Sequence, residues 1–85
     1  MTDTQLKIAK FLEALLKQRS LLVSHYRVCL ERFCEDRTVA EVADRNGLTR
    51  YDVRLIESGL MRNYPEIRRM VARDSAMRRH PSYQG

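Results

Sequence analysis

The stretch from Thr38 to Ser58, T-V-A-E-V-A-D-R-N-G-L-T-R-Y-D-V-R-L-I-E-S, constrains this chain more than any other. It holds two helix starts with a stop between them. Thr38 with Glu41, and Thr49 with Asp52, each place a hydroxyl at an N-cap and a carboxylate three residues on. In that spacing the two side chains satisfy each other's backbone N–H groups, a capping box. Asn46-Gly47 ends the first helix, because glycine enters the left-handed region without a Cβ clash and lets the chain reverse sharply. Val42, Ala43, Leu48, Val53 and Ile56 fall where two steeply crossing helices bury side chains against each other. Ala43 is critical, since a larger side chain there pushes the second helix away.

This pattern resembles the helix-turn-helix of phage-repressor and Cro-type DNA-binding proteins, with Val-Ala-Asp-Arg-Asn-Gly-Leu nearest the family form and Ile-Glu-Ser-Gly matching its usual exit. Asn46 departs from the family, which usually has an apolar residue there. The resemblance covers about a quarter of the chain. It implies that the second helix lies in the DNA major groove, where Thr49, Arg50, Tyr51 and Arg54 meet base edges. Arg50 and Arg54 suit bidentate contacts to guanine; Thr49 and Tyr51 suit a phosphate or a thymine methyl. Arg37, Thr38 and Arg45 border the same groove as phosphate contacts, Thr38 adding a helix N-terminus. Arg62, Arg68 and Arg69 are further phosphate candidates. Size and layout are also similar to the short accessory repressors of phages and of IncP broad-host-range plasmids. The blander alternative is an ordinary helical hairpin in a small bundle.

Charge follows the motif. The formal net charge is +5 and the pI about 9.7. From Arg37 onward there are ten Arg, no Lys and six acids, whereas residues 1–36 hold six basic and five acidic residues. The positive field therefore lies with the motif, and it is built of the side chain whose planar fork matches phosphate and guanine. A solvated arginine surface is the alternative for any single residue.

The rest of the chain reads as helix without strand-like alternation. Gln5 to about Gln18 puts Ile8, Phe11, Leu12, Leu15 and Leu16 on one broad face. Core packing explains that face better than membrane-surface binding, because so short a chain needs the apolar area. A second helix from Ser20, as cap, to about Glu35 has Leu22, Tyr26, Cys29, Leu30 and Phe33 at core spacing, with Val28 and Leu21 off that face. No Gly or Pro separates the two segments, so a single bent helix is the alternative to a break near Arg19-Ser20; only a break lets the chain fold back. Cys29 and Cys34 read as buried small hydrophobes in a reducing compartment. Gly59 lies near the end of the motif's second helix, and Pro65 starts a last helix with a narrow stripe of Ile67, Met70, Val71 and Met77, interrupted by Asp74. Residues 80–85 form a tail.

The expected architecture is all-α: a single domain of 85 residues, a five-helix bundle with a central helix-turn-helix. It divides into an N-terminal helical segment 1–36, the motif 37–62, a C-terminal helix 63–79 and the tail. One domain of this size closes only a small core, so burial against a second copy would help, and a homodimer is expected through Ile67, Met70, Val71 and Met77. The N-terminal helix is the competing interface. No glycine-rich phosphate loop, Cys/His ligand cluster or serine nucleophile motif is present, which argues against an enzyme, a metal or a cofactor. The lack of a signal peptide or a membrane-spanning run points to the cytoplasm. The functional expectation is a sequence-specific transcriptional regulator, a repressor that binds double-stranded operator DNA as a dimer. The alternative is a protein-interaction module of the same fold that binds RNA polymerase or another regulator.

Overall fold

The structure, a computed structural model, describes residues 1–79, and their side chains as far as residue 76. Five helices follow one another: α1 Asp3–Lys17, α2 Val23–Phe33, α3 Val39–Asn46, α4 Arg50–Asn63 and α5 Pro65–Arg79. No strand occurs among the described residues, and no helix there is long and apolar enough to cross a membrane. The fold is thus the all-α bundle expected. The expected tail, 80–85, lies outside the described residues.

The N-terminus is tied down rather than frayed. Thr2 caps α1: its hydroxyl accepts from the Gln5 N–H at 3.0 Å, and its own N–H donates to Gln5 Oε1 at 2.8 Å. Gln5 is 1% exposed, and its amide also donates to the Phe33 carbonyl and to Asp36 Oδ1, which ties α1 to the end of α2. The Thr2 hydroxyl donates to Asp74 Oδ1 at 2.9 Å. Asp74, which interrupts the apolar stripe of α5 in sequence, therefore joins α5 to the start of α1.

The chain breaks between α1 and α2 without Gly or Pro. Arg19 adopts φ 58°, and the Ser20 and Arg19 N–H groups donate back to the Leu15 and Leu16 carbonyls at 2.9 and 3.1 Å. This is a Schellman closure with an arginine in the left-handed position, where the side chain adds a steric cost that glycine avoids. A single bent helix is excluded. Ser20 is not the cap of α2; Leu22 occupies that position and makes no side-chain cap.

Two clusters form the core. Ile8, Leu12 and Leu15 of α1 pack with Cys29, Phe33 and Cys34, and with Leu60 and Ile67. Val28, Val42, Ala43 and Val53 form the second cluster, beneath α3 and α4. The expected α2 face needs correction, because α2 has neighbours on two sides: Val28 is fully buried against α3 and α4, while Leu22 is 65% exposed. Both cysteines are buried and free, as expected of small hydrophobes. Burial, with help from the Glu57 carboxylate, pushes the Cys29 thiol up to about 12, and burial pushes Cys34 up to about 11, so both stay protonated and unreactive at neutral pH.

The expected dimer stripe on α5 is also corrected. Ile67 is 0% exposed within its own chain, and Met70 and Val71 pack against the same core. The Met77 side chain lies outside the description. Helix α5 closes the core over α1, helped by the edge-to-face contact of Phe11 with Tyr64, rings 5.9 Å apart.

Helix α4 runs through Gly59 to Asn63 and ends at Tyr64, since a residue before proline avoids the helical region. A Cβ added to the helix-interior Gly59 meets nothing within 4 Å. Gly59→Ala is therefore expected to stabilise the fold by about 0.5–1 kcal/mol, through the lower entropy of the unfolded chain. Urea denaturation checks this, and a loss of stability would show that the backbone here needs glycine.

Candidate nucleic-acid interface

The α3–α4 pair is built as its caps dictate. The Thr38 hydroxyl accepts from the Glu41 N–H at 3.1 Å while the Thr38 N–H donates to Glu41 Oε1 at 3.0 Å. Thr49 and Asp52 repeat the arrangement at 3.0 and 3.1 Å. Gly47 closes α3 at φ 64°, ψ 34°, in the left-handed region. Ala43, 4% exposed, sits in the cluster with Val28, Val42 and Val53, and Leu48 and Ile56 pack on its edge.

Helix α4 is held from behind. Arg32 Nε of α2 donates to Glu57 Oε1 at 2.7 Å, and Arg32 Nη1 donates to the Arg37 carbonyl at 2.8 Å. The Glu57 side chain is only 12% exposed, so this ion pair sits in a low-dielectric position and fixes the rotation of α4 against α2. Val53 and Leu60 point inward. By helical periodicity the opposite face carries Tyr51, Leu55, Ser58 and Arg62, all exposed.

Thr49, Arg50, Tyr51 and Arg54 are all exposed in the N-terminal half of α4, with Arg54 at the rim of a cleft that Asp36, Glu57 and Asp74 also line. The Thr49 hydroxyl accepts within the cap and keeps its proton for an outside acceptor. Thr38 is similar, and each helix N-terminus already holds its capping carboxylate, Glu41 at Thr38 and Asp52 at Thr49. Hydrogen bonding to Thr38 holds the Glu41 carboxyl below the usual carboxylate range. An anion at either cap thus meets an existing negative charge. Arg37 Nε donates to Glu35 Oε1 at 3.2 Å, which partly neutralises it. Arg62, Arg68 and Arg69 are exposed. Arg62 lies in the last turn of α4, roughly 20 Å along its axis from Thr49, and Arg68 and Arg69 lie on α5.

Arg45 has a partner within the chain. Its Nε donates to Glu31 Oε2 at 3.2 Å, and it lines two clefts walled by α2 residues such as Val23 and Arg27 and by no residue of α4. Arg45 is thus paired with α2 while its side chain stays 52% exposed. Glu31, 4% exposed, had no signal in the sequence. It also accepts from Asn46 Nδ2 at 3.1 Å, and Asn46 donates to the Val42 carbonyl at 2.8 Å. Asn46, which departs from the family pattern, thus has its own polar partner. Leu55 is 51% exposed, an apolar residue of the kind the protein-interaction alternative needs, whereas Leu60 is buried.

The arrangement can present an arginine-flanked helix face to a polyanion, and its rear is braced by two acids that neutralise the inward arginines. Comparison with family models, with characterised proteins and with solved structures returns no match for this chain.

Proposed function

We propose that the protein is a sequence-specific DNA-binding regulator that reads the major groove with the N-terminal half of α4. The observation that carries this reading is the pairing of a tightly capped, back-braced α4 with exposed Thr49, Arg50, Tyr51 and Arg54 in its N-terminal half. A rigid helix with donors at fixed spacing is what base-edge recognition requires. One such helix reads only a few base pairs, so the reading includes a homodimer on a two-fold symmetric operator, with half-site centres about 10 base pairs apart. Occupancy of a promoter by such a domain is enough to block transcription, which makes repression the proposed outcome.

Site selection from random duplex DNA, followed by footprinting, tests this. Binding is expected to be strongly salt-dependent, with log K falling against log salt at a slope of about −5 if six phosphates are neutralised. Arg50→Ala and Arg54→Ala are each expected to cost about 1–3 kcal/mol on the selected site and to relax preference at one base position. Equal losses on selected and random DNA would sink the assignment of those arginines to base edges.

A second reading, a module that holds RNA polymerase or another regulator, is favoured by the exposure of Tyr51 at 69% and Leu55 at 51%. Exposed apolar anchors are what a protein partner buries. Affinity for DNA that stays flat from low to physiological salt would favour that alternative.

A further inference from the structure

Where α2 meets the end of α3, the chain gathers more hydrogen-bond donors than it uses. Val23, Ser24, Arg27, Arg45, Asn46 and Leu48 line a cleft of about 510 Å³ that holds no acidic residue. It shares Val23, Arg27, Arg45 and Asn46 with a second cleft of about 630 Å³, to which Tyr26 and Leu30 contribute. We propose that these adjoining clefts form a binding site for a small phosphate monoester with an aromatic or apolar body, its phosphate held by Arg27 and Arg45. No residue of α4 lines either cleft, so the site stands apart from whatever α4 reads.

Arg45 is prepared for such a ligand by its own partner. Its Nε donates to Glu31 Oε2 at 3.2 Å, and the buried Glu31 is held in turn by Asn46 Nδ2 at 3.1 Å. A guanidinium is a planar fork of N–H donors, so anchoring Nε sets the plane and leaves the terminal nitrogens for an outside acceptor. Arg27 lies one turn before Glu31 on α2, is exposed, and makes no ion pair among the described residues. Two guanidiniums therefore face one buried carboxylate. Glu35, the other acid in the larger cleft, is paired with Arg37. The surplus of positive charge and of donors calls for a ligand that is anionic and accepts several hydrogen bonds. A phosphate monoester brings roughly two negative charges and three strong acceptor oxygens near neutral pH, whereas a carboxylate brings less of both. The remaining walls are apolar: Val23 is 65% exposed, and Tyr26, Leu30 and Leu48 are half-buried. They suit a ring or a short aliphatic group, and each cleft lies within the roughly 300–1,000 Å³ of small-molecule sites.

Phenyl phosphate titrated into the isotope-labelled protein and followed by amide NMR tests this, with phenol and inorganic phosphate titrated alongside. Phenyl phosphate is expected to give saturable shifts at Ser24, Arg27, Arg45 and Asn46 and to bind more tightly than either fragment. Arg27→Gln is expected to weaken it about tenfold, the effect of losing a hydrogen bond to a charged group. The melting temperature of that variant is expected to stay at the wild-type value, because Arg27 has no ion-pair partner to lose. Arg50→Ala, which removes an arginine outside the clefts, is expected to leave the affinity unchanged. Phenol binding as tightly as phenyl phosphate would overturn the anion contact, and inorganic phosphate binding as tightly would overturn the part played by the apolar walls. Absence of saturable shifts at these residues, or shifts spread equally over the arginines of α4 and α5, would overturn the site itself.

Discussion

Ala43→Leu is expected to abolish binding to the selected operator and to lower the melting temperature. Ala43 is 4% exposed and packed among Val28, Val42 and Val53, where α2, α3 and α4 meet. Three added carbons have no space there, and overpacking of this kind costs about 1–3 kcal/mol. In a domain of this size each kcal/mol shifts the melting temperature by roughly 4–8 °C. The functional loss should exceed the loss of stability, because the strain is relieved most cheaply by moving α4. The Arg32–Glu57 contact at 2.7 Å would then stretch, and Arg50 and Arg54 would leave their register together. A circular-dichroism melt and a titration against the selected site, done below the melting transition, separate the two effects. A folded Ala43→Leu variant with wild-type affinity would show that the α3–α4 crossing does not set the position of the reading residues.

Arg45→Ala is expected to act on stability and to leave DNA affinity nearly unchanged. The Glu31 carboxylate, its side chain 5% exposed, is held by Arg45 and Asn46. Removing Arg45 leaves a buried charge with one neutral partner, and the loss of a hydrogen bond to a charged group costs about 1.5–3 kcal/mol. The figure belongs at the low end, because the Arg45 side chain is 52% exposed and water replaces part of its contribution. Combining Arg45→Ala with Glu31→Leu is expected to recover most of the loss, since an apolar side chain needs no partner. Urea denaturation of the single and double variants measures this coupling. If Arg45→Ala instead lowers affinity for selected and random DNA alike while stability holds, Arg45 contacts phosphate.

The elements of this fold whose physics is local were legible in the sequence. A threonine hydroxyl with a carboxylate three residues on can do little else than cap a helix, and Thr38–Glu41 and Thr49–Asp52 both do so. Gly47 sits at φ 64°, where a Cβ is costly, and Pro65 stops α4 because of its own ring. Periodicity likewise marked Ile8, Leu12 and Leu15 as core. The break at Arg19 was expected on the ground that the chain must fold back, although arginine carries no signal for the left-handed conformation it adopts.

What only the tertiary structure decided depends on which helix packs where. Val28, off the apolar stripe of α2, is buried because α3 and α4 cover a second side of that helix. Ile67 closes the chain's own core and is unavailable to a partner, because α5 folds back over α1. Arg45 and Arg54 are both exposed arginines of the motif, yet Arg45 pairs with Glu31 of α2, fourteen positions earlier, while Arg54 lies at a cleft beside Glu57 of its own helix. Neither pairing across that distance nor the direction a helix turns its charged face follows from local spacing, because both are set by the packing of α2 between the two halves of the molecule.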